Sequence, residues 1–274
     1  METAIKINND ILEIKKVMAQ LASYAGHLTS SLSSLEILYS LYTTININRD
    51  NLDDIKNRDL VIISKEHARL AQVCVLAQLG LIDKKLLNGY IKDGGLLGHD
   101  MYNVVGSKEI SAVDYASGSL GHGAGVGVGF ALANRKRNIY VIVGDGELQE
   151  GSLWEAFMFA IQYKLKNLII IIDKNCLQIE EYTKNIIDST SNIENKMSAF
   201  GFDIISCDGH NIAELKKAIQ QETTNPKCIV ASTIKGRGIE FLLKEVGFPI
   251  FHHSSFGYDE NINKRVYEAL TNDE

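Results

Sequence analysis

Proline is nearly absent from this chain: two residues in 274. No Pro/Gly/Ser-rich linker divides it, and its length suits one large α/β domain with a sizeable core. Basic charge is not in excess; the net charge of −6 invites no nucleic-acid partner. No apolar run is long enough to cross a bilayer, so no membrane association is expected. The opening residues, Met1-Glu2-Thr3-Ala4-Ile5-Lys6, lack the basic-then-apolar order of a signal peptide. The four cysteines, Cys74, Cys176, Cys207 and Cys228, show no zinc-ligand spacing. Without an export signal they read as reduced thiols, which places the chain in a cytoplasm. Cys176 in particular reads as filler rather than nucleophile.

What is present is an alternation of strands and helices. Short β-branched runs at 59–64, 138–143, 167–172, 202–207 and 227–232 read as strands. Helical spacing of apolar residues intervenes at 68–79, 151–163, 193–200 and 212–222. Such alternation predicts a mainly parallel sheet flanked by helices on both faces, an α/β fold. Ahead of it, residues 1–58 read as a helical part. An amphipathic helix covers 9–25, and a second covers 35–44 with Ser33 or Ser34 as its cap. Residues 83–92 read as a further helix, and 233–274 as an extended tail.

Chemistry concentrates where the strands end. The strand at 138–143 runs into Gly144-Asp145-Gly146, and the all-apolar strand at 167–172 delivers Asp173 and Asn175. Both polar ends reach the carboxyl edge of one sheet, where open α/β folds bind ligands. The Asp145 carboxylate and Asn175 amide are hard oxygen donors, suited to Mg²⁺ that also grips a diphosphate. The run Ser117-Gly118-Ser119-Leu120-Gly121-His122-Gly123 opens an Ala/Gly-rich helix, whose small residues permit close approach of the sheet or of a neighbouring subunit. No clear strand precedes it, so a dinucleotide fingerprint fits poorly. His210 sits in Asp208-Gly209-His210-Asn211, a turn before a helix that Asn211 can cap, and is not read as catalytic.

Gly144-Asp145-Gly146, then about thirty residues, then Asn175 resembles the metal and diphosphate motif of thiamine-diphosphate enzymes. Glu147-Leu148-Gln149-Glu150-Gly151 and Trp154-Glu155-Ala156 narrow the resemblance to the transketolase family. Gly26-His27, Ser64-Lys65-Glu66-His67-Ala68, Gly98-His99, Gly118-Ser119-Leu120-Gly121, Thr233-Ile234-Lys235-Gly236 and Phe251-His252-His253 resemble further motifs of that family. The resemblance implies a three-layer thiamine-diphosphate-binding fold that takes thiamine diphosphate and Mg²⁺. It implies that Asp145, Asn175 and the carbonyl of Leu177 bind the metal. It assigns Ser64, His67, Gly118, Ser119, Leu120, Gly144, Asp145, Gly146, Glu147, Asn175, Lys235 and His252 to the cofactor, although His253 competes with His252 for that place. His27, His67 and His99 would handle substrate oxygens and protons.

The resemblance spans residues 23–253 but only one portion of a transketolase, the diphosphate-binding domain. It therefore implies an N-terminal subunit that needs a second polypeptide with the pyrimidine-binding domain, two copies of each. The implied reaction is transfer of a two-carbon ketol unit from a ketose to an aldose sugar. Glu150 and Glu155 would lie at the subunit interface by analogy, or serve as acids in a first helical turn. Four positions depart from the family pattern: Glu66 for Gly, Asp100 for Pro, His122 for Gln, and Glu181 within Ile-Asp-Gly. These keep two alternatives open: half of another thiamine-diphosphate enzyme, such as a deoxyxylulose-phosphate-synthase-like or dehydrogenase-type protein, and a noncatalytic cofactor-binding scaffold.

Overall fold

The computed structural model describes residues 2–22, 27–90, 110–115, 118–179, 181–253 and 259–272. His99 and Asp100 lie outside them. Helices α1 (Glu2–Ala22) and α2 (Leu28–Tyr42) precede strand β1 (Leu60–Ile63). Then come α3 (Arg69–Gln78), α4 (His122–Ala133), β2 (Ile139–Gly144), α5 (Gly151–Gln162) and β3 (Leu168–Lys174). The chain continues through α6 (Thr183–Ile186), α7 (Ile193–Phe200), β4 (Asp203–Asp208), α8 (Ile212–Gln220) and β5 (Lys227–Ser232). It ends in α9 (Leu242–His253) and α10 (Glu260–Thr271).

The strands form one parallel sheet in the order β1-β2-β3-β5-β4. Its central strands are apolar on both faces because both faces are covered. Ile169 and Ile171 of β3 face a core built with α1, α2, α3, α8, α9 and α10. Leu168, Ile170 and Ile172 face a second core built with α4, α5 and α7. This is the three-layer α/β fold that the sequence predicts. Register sets Gly144 beside Asp173, and Asp173 beside Ala231. The polar ends of β2, β3 and β5 therefore arrive at one level of the carboxyl edge.

Three expectations change. The helix expected at 35–44 begins at Leu28, and all 15 residues of α2 are buried. Ser33 and Ser34 do not cap it; they lie inside it and donate to Asp173. The segment expected as a helix over 83–92 is a 3₁₀ turn, Lys84–Gly89, capped by Asp83. The tail expected to be extended carries α9 and α10. Ile262, Val266 and Leu270 form one face of α10 against the core, and Asp259 caps it by accepting from the Asn261 and Ile262 N–H groups. Among the described residues no helix is long and apolar enough to cross a membrane.

Candidate active site at the carboxyl edge of the sheet

Asp145 follows β2 directly and is buried. Its Oδ1 accepts from the Gly146 N–H at 2.7 Å, and its Oδ2 accepts from the Cys176 N–H. That second bond ties the end of β2 to the loop after β3. Cys176 adopts the left-handed conformation (φ 62°), which curls this loop around the carboxylate. Asn175 Oδ1 accepts from the Leu177 N–H at 3.0 Å. Asp145, Asn175 and Leu177, separated by some thirty residues in sequence, are thus gathered at one place. Burial, then the nearby charge of Asp173, pushes the Asp145 carboxyl up to about 6.

Asp173, one strand over, is a hub whose role the sequence motifs do not reveal. Its Oδ2 accepts from Lys65 Nζ at 2.6 Å, Ser34 Oγ at 2.6 Å and Ser33 Oγ at 2.8 Å. Its Oδ1 accepts from Thr233 Oγ1. Burial opposes ionisation, but Lys65 and these hydroxyls outweigh it and hold the carboxyl below its usual range. The signal in the sequence was the serine-rich helix: hydroxyls buried in α2 need an acceptor.

Three histidines meet on the same edge. The rings of His27, His67 and His252 lie 5.0 to 6.0 Å apart, centroid to centroid. His27 Nδ1 lies 3.1 Å from the His252 carbonyl oxygen, and His252 Nδ1 lies 2.6 Å from Lys235 Nζ. Burial, then the surrounding cationic groups led by Lys65, lowers His67 well below the ordinary histidine value, so its ring is neutral. Lys235 is itself buried, 4% exposed. Burial, then the charge of Lys65, brings its ammonium down to about 7 against the pull of Asp145 and Asp173.

Ser64 and Glu147, both assigned to the cofactor by resemblance, are bonded to each other. Glu147 also accepts from the Gly121 N–H at 2.8 Å and the Gly144 N–H at 3.0 Å. Its carboxylate therefore knots the ends of β1 and β2 to the loop that carries Gly118, Ser119 and Leu120. Gly121 turns that loop in the left-handed conformation (φ 86°), where a Cβ would stand 2.5 Å from Ser152 Oγ. Glu66, the first departure from the family pattern, does not crowd the site. Arg69 holds its carboxylate at 2.6 Å, while Lys65 turns to Asp173.

Among the described residues, no group of three or more His, Cys, Asp or Glu side chains is placed to hold a metal ion. A metal here would rest on one carboxylate with amide and carbonyl oxygens, completed by phosphate oxygens. That donor set suits Mg²⁺, which uses one or two carboxylates plus phosphates rather than an all-protein cage. Asp145 and Lys235 are each buried without full charge compensation, so the residues fit a divalent cation together with a diphosphate.

The Lys235 shift has a stability consequence. Its folded value, about 7, lies below the ordinary 10.5, so between these values the unfolded chain binds more protons. Stability from this group is present at high pH and is lost as pH falls toward 7. Lys235→Met removes the dependence. Between pH 7 and 8.5 the unfolding free energy of the wild type should rise by roughly 1–2 kcal/mol more than that of the variant. Urea titrations at the two pH values measure it, and equal rises would show that Lys235 is not strained.

The family described as transketolase, thiamine diphosphate binding domain, matches residues 8–265. The chain belongs to that family. It is 41% identical over 236 residues to an apulose-4-phosphate transketolase subunit of Actinobacillus succinogenes, covering 83% of this chain and 82% of that one. It is 37% identical over 225 residues to the 6-deoxy-6-sulfo-D-fructose transketolase subunit SqwG of Clostridium sp. strain MSTE9, covering 79% of each. The fold superposes on the transketolase of Campylobacter jejuni with a TM-score of 0.73 and 27% identity, over 96% of this chain and 45% of that one. The chain thus spans less than half the length of that solved transketolase.

Proposed function

We propose that this chain is the N-terminal, diphosphate-binding subunit of a two-chain transketolase-like enzyme. It would transfer a two-carbon ketol unit from a ketose to an aldose. The observation that carries this reading is the charge imbalance at the carboxyl edge. A buried carboxyl raised to about 6 and a buried ammonium lowered to about 7 each lack a full counter-charge. A divalent cation with a diphosphate supplies both. Asp145, Asn175 and the Leu177 carbonyl would hold the metal, with Mg²⁺ the best match to these donors. Lys235, His67 and His252 would meet the diphosphate side, with Gly144 and Gly146 allowing close approach. Ser64 and Glu147 would act by holding the Gly118-Ser119-Leu120 loop in place.

Thiamine diphosphate, when bound, supplies the carbanion chemistry that carries a ketol unit. This chain's residues would orient the sugar and exchange protons with it. His67, neutral and adjacent to His27, would offer an unprotonated ring nitrogen to hydrogen-bond a substrate hydroxyl. His99 joins them on the strength of its sequence motif.

The partner would be a polypeptide with the pyrimidine-binding domain, and the assembly two copies of each. Both relatives are named as transketolase subunits, which supports the division. So does α4. Gly123 and Gly127 face inward, where a Cβ would stand 2.5 Å from Ser64 and Val141. Gly125 and Gly129 face outward, and among the described residues nothing lies within 4 Å of a Cβ there. No described residue of the chain requires their smallness, which suits the close approach of another chain. Beside them lies a groove lined by His122, Val126, Leu132, Glu155 and Phe159.

The test is ketol transfer with thiamine diphosphate and Mg²⁺, using this chain, its pyrimidine-domain partner, and both together. Turnover only in the mixture is expected. Full turnover by this chain alone would refute the division of labour. No turnover in a mixture that forms a complex and binds the cofactor would refute the reaction.

A further inference from the structure

We propose that His210 and Glu36 form a positioning pair that sets the segment carrying Lys235 against the site. The Ile234 N–H donates to His210 Nε2 at 2.9 Å. Nε2 is therefore the unprotonated nitrogen, and Nδ1 carries the proton. Nδ1 lies 2.9 Å from Glu36 Oε2 and donates to it. Glu36 belongs to the wholly buried helix α2 and is 7% exposed. A carboxylate at that depth is retained only with a partner, and the imidazole is the partner the fold provides. The pair fixes one tautomer, and that tautomer presents an acceptor to the Ile234 amide.

The turn holding His210 does not need the ring. Asp208 Oδ1 accepts from the His210 backbone N–H at 2.9 Å, and Asn211 caps α8. Gly209 presses the turn onto the end of β5: its N–H donates to the Ser232 carbonyl at 2.8 Å. A Cβ at Gly209 would stand 2.3 Å from Thr233 Cγ2 and 2.9 Å from that carbonyl oxygen. The missing side chain is what brings the imidazole within reach of residue 234.

Lys235 is bracketed by three anchors from three elements. Thr233 Oγ1 donates to Asp173 of β3, and the Gly236 N–H donates to the Thr29 carbonyl of α2. His210, from the turn between β4 and α8, holds the residue immediately before Lys235. These anchors aim the ammonium at His252. That Lys235 meets a diphosphate rests on the proposed function; that His210 fixes its segment does not.

Two substitutions separate the ring's nitrogens. His210→Gln carries its amide near Nε2 and keeps an acceptor for Ile234; His210→Asn carries its amide near Nδ1 and does not. Hydrogen exchange of the full chain over 233–236 should quicken about tenfold in His210→Asn, as for loss of one hydrogen bond. In the two-chain mixture with Mg²⁺, half-saturation by thiamine diphosphate should rise about tenfold, while kcat stays within about twofold. His210→Gln should recover both to within about threefold of wild type. If His210→Asn does not fold, Glu36→Gln is used instead, and its weaker, uncharged acceptor should quicken exchange by about threefold.

Unchanged exchange at 233–236 would overturn the proposal. So would identical behaviour of the Asn and Gln variants. Quickening spread evenly over α8 and the 208–211 turn would mark the ring as merely structural and also overturn it. If the wild-type mixture fails to bind thiamine diphosphate, the functional reading falls, and the exchange comparison still decides the role of His210.

Discussion

Asp173→Ala should lower the unfolding free energy of the chain by about 3–5 kcal/mol, the range for breaking one side of a buried ion pair. The reason lies in what stays behind. Lys65 is 1% exposed and would keep a buried charge with no carboxylate opposite it. Ser33 and Ser34, both buried, would lose an acceptor where water cannot replace it, and the half-buried Thr233 would lose it as well. Asp173→Asn keeps the size and one acceptor oxygen, so the loss from wild type to Asn reports mainly the charge, and the further loss from Asn to Ala reports the acceptor and the packing. Adding Lys65→Met to Asp173→Ala should recover a large part of the loss, because the pair is in contact and its terms do not add. The pH dependence follows from the lowered folded value of Asp173. Its stabilisation is present above the ordinary carboxylate range and is lost as pH falls through the folded value. Urea unfolding of the four proteins at pH 7 measures these effects. A loss below about 1 kcal/mol for Asp173→Ala would mean that the hub is a crowd of polar groups without energetic weight.

What the sequence disclosed and what it concealed follow from the range of the interactions. The strands were legible because a run such as Leu168-Ile169-Ile170-Ile171-Ile172 is dictated locally, by branched side chains on a sheet buried twice over. The arrival of Asp145 and Asn175 at one edge was legible because each follows an apolar strand of the same parallel sheet. Helix α2 was not. Ser30, Ser31, Ser33 and Ser34 resemble a loop and a cap, since serine hydroxyls compete for backbone groups when nothing better is near. In the folded chain Asp173, some 140 residues later, gives two of those hydroxyls a stronger acceptor, and the helix runs through them. Glu66 posed a local puzzle, a carboxylate near a diphosphate site. Its resolution was also local, Arg69 three residues on, but it required knowing that Lys65 is engaged elsewhere. His210 looked like a turn residue and is one; its second contact, to residue 234, belongs to the packing of β4 against β5. Helix α10 was read as tail because its three apolar residues have meaning only against α1 and the core they cover.

Asp145→Asn should separate stability from binding more sharply than any other substitution. The carboxyl is raised to about 6 by burial and by Asp173, so its ionised form is disfavoured in the folded chain. Between about 4 and 6 the folded state binds more protons than the unfolded one, and stability from this group declines as pH rises. Above that range the ionised group is a standing penalty of roughly 2–3 kcal/mol, at ~1.4 kcal/mol for each tenfold change in proton affinity. Asparagine removes the charge and keeps one acceptor oxygen, enough for either the Gly146 or the Cys176 N–H but not both, so the lost bond offsets part of the gain. The variant should therefore be more stable than wild type at pH 7.5 without added metal, with the advantage fading below about pH 4. Asp145→Ala, which leaves both N–H groups without that acceptor, should gain less. Both variants should bind thiamine diphosphate with Mg²⁺ on the order of a hundredfold more weakly, because the penalty in wild type is what a cation relieves. Ketol transfer in the two-chain mixture should fall by a similar factor or more. Calorimetric titration and urea unfolding on the same preparations supply the two readouts. An Asn variant that is both less stable and undiminished in binding would remove Asp145 from the metal site. A variant stabilised as expected but still binding normally would place the cation elsewhere on the carboxyl edge.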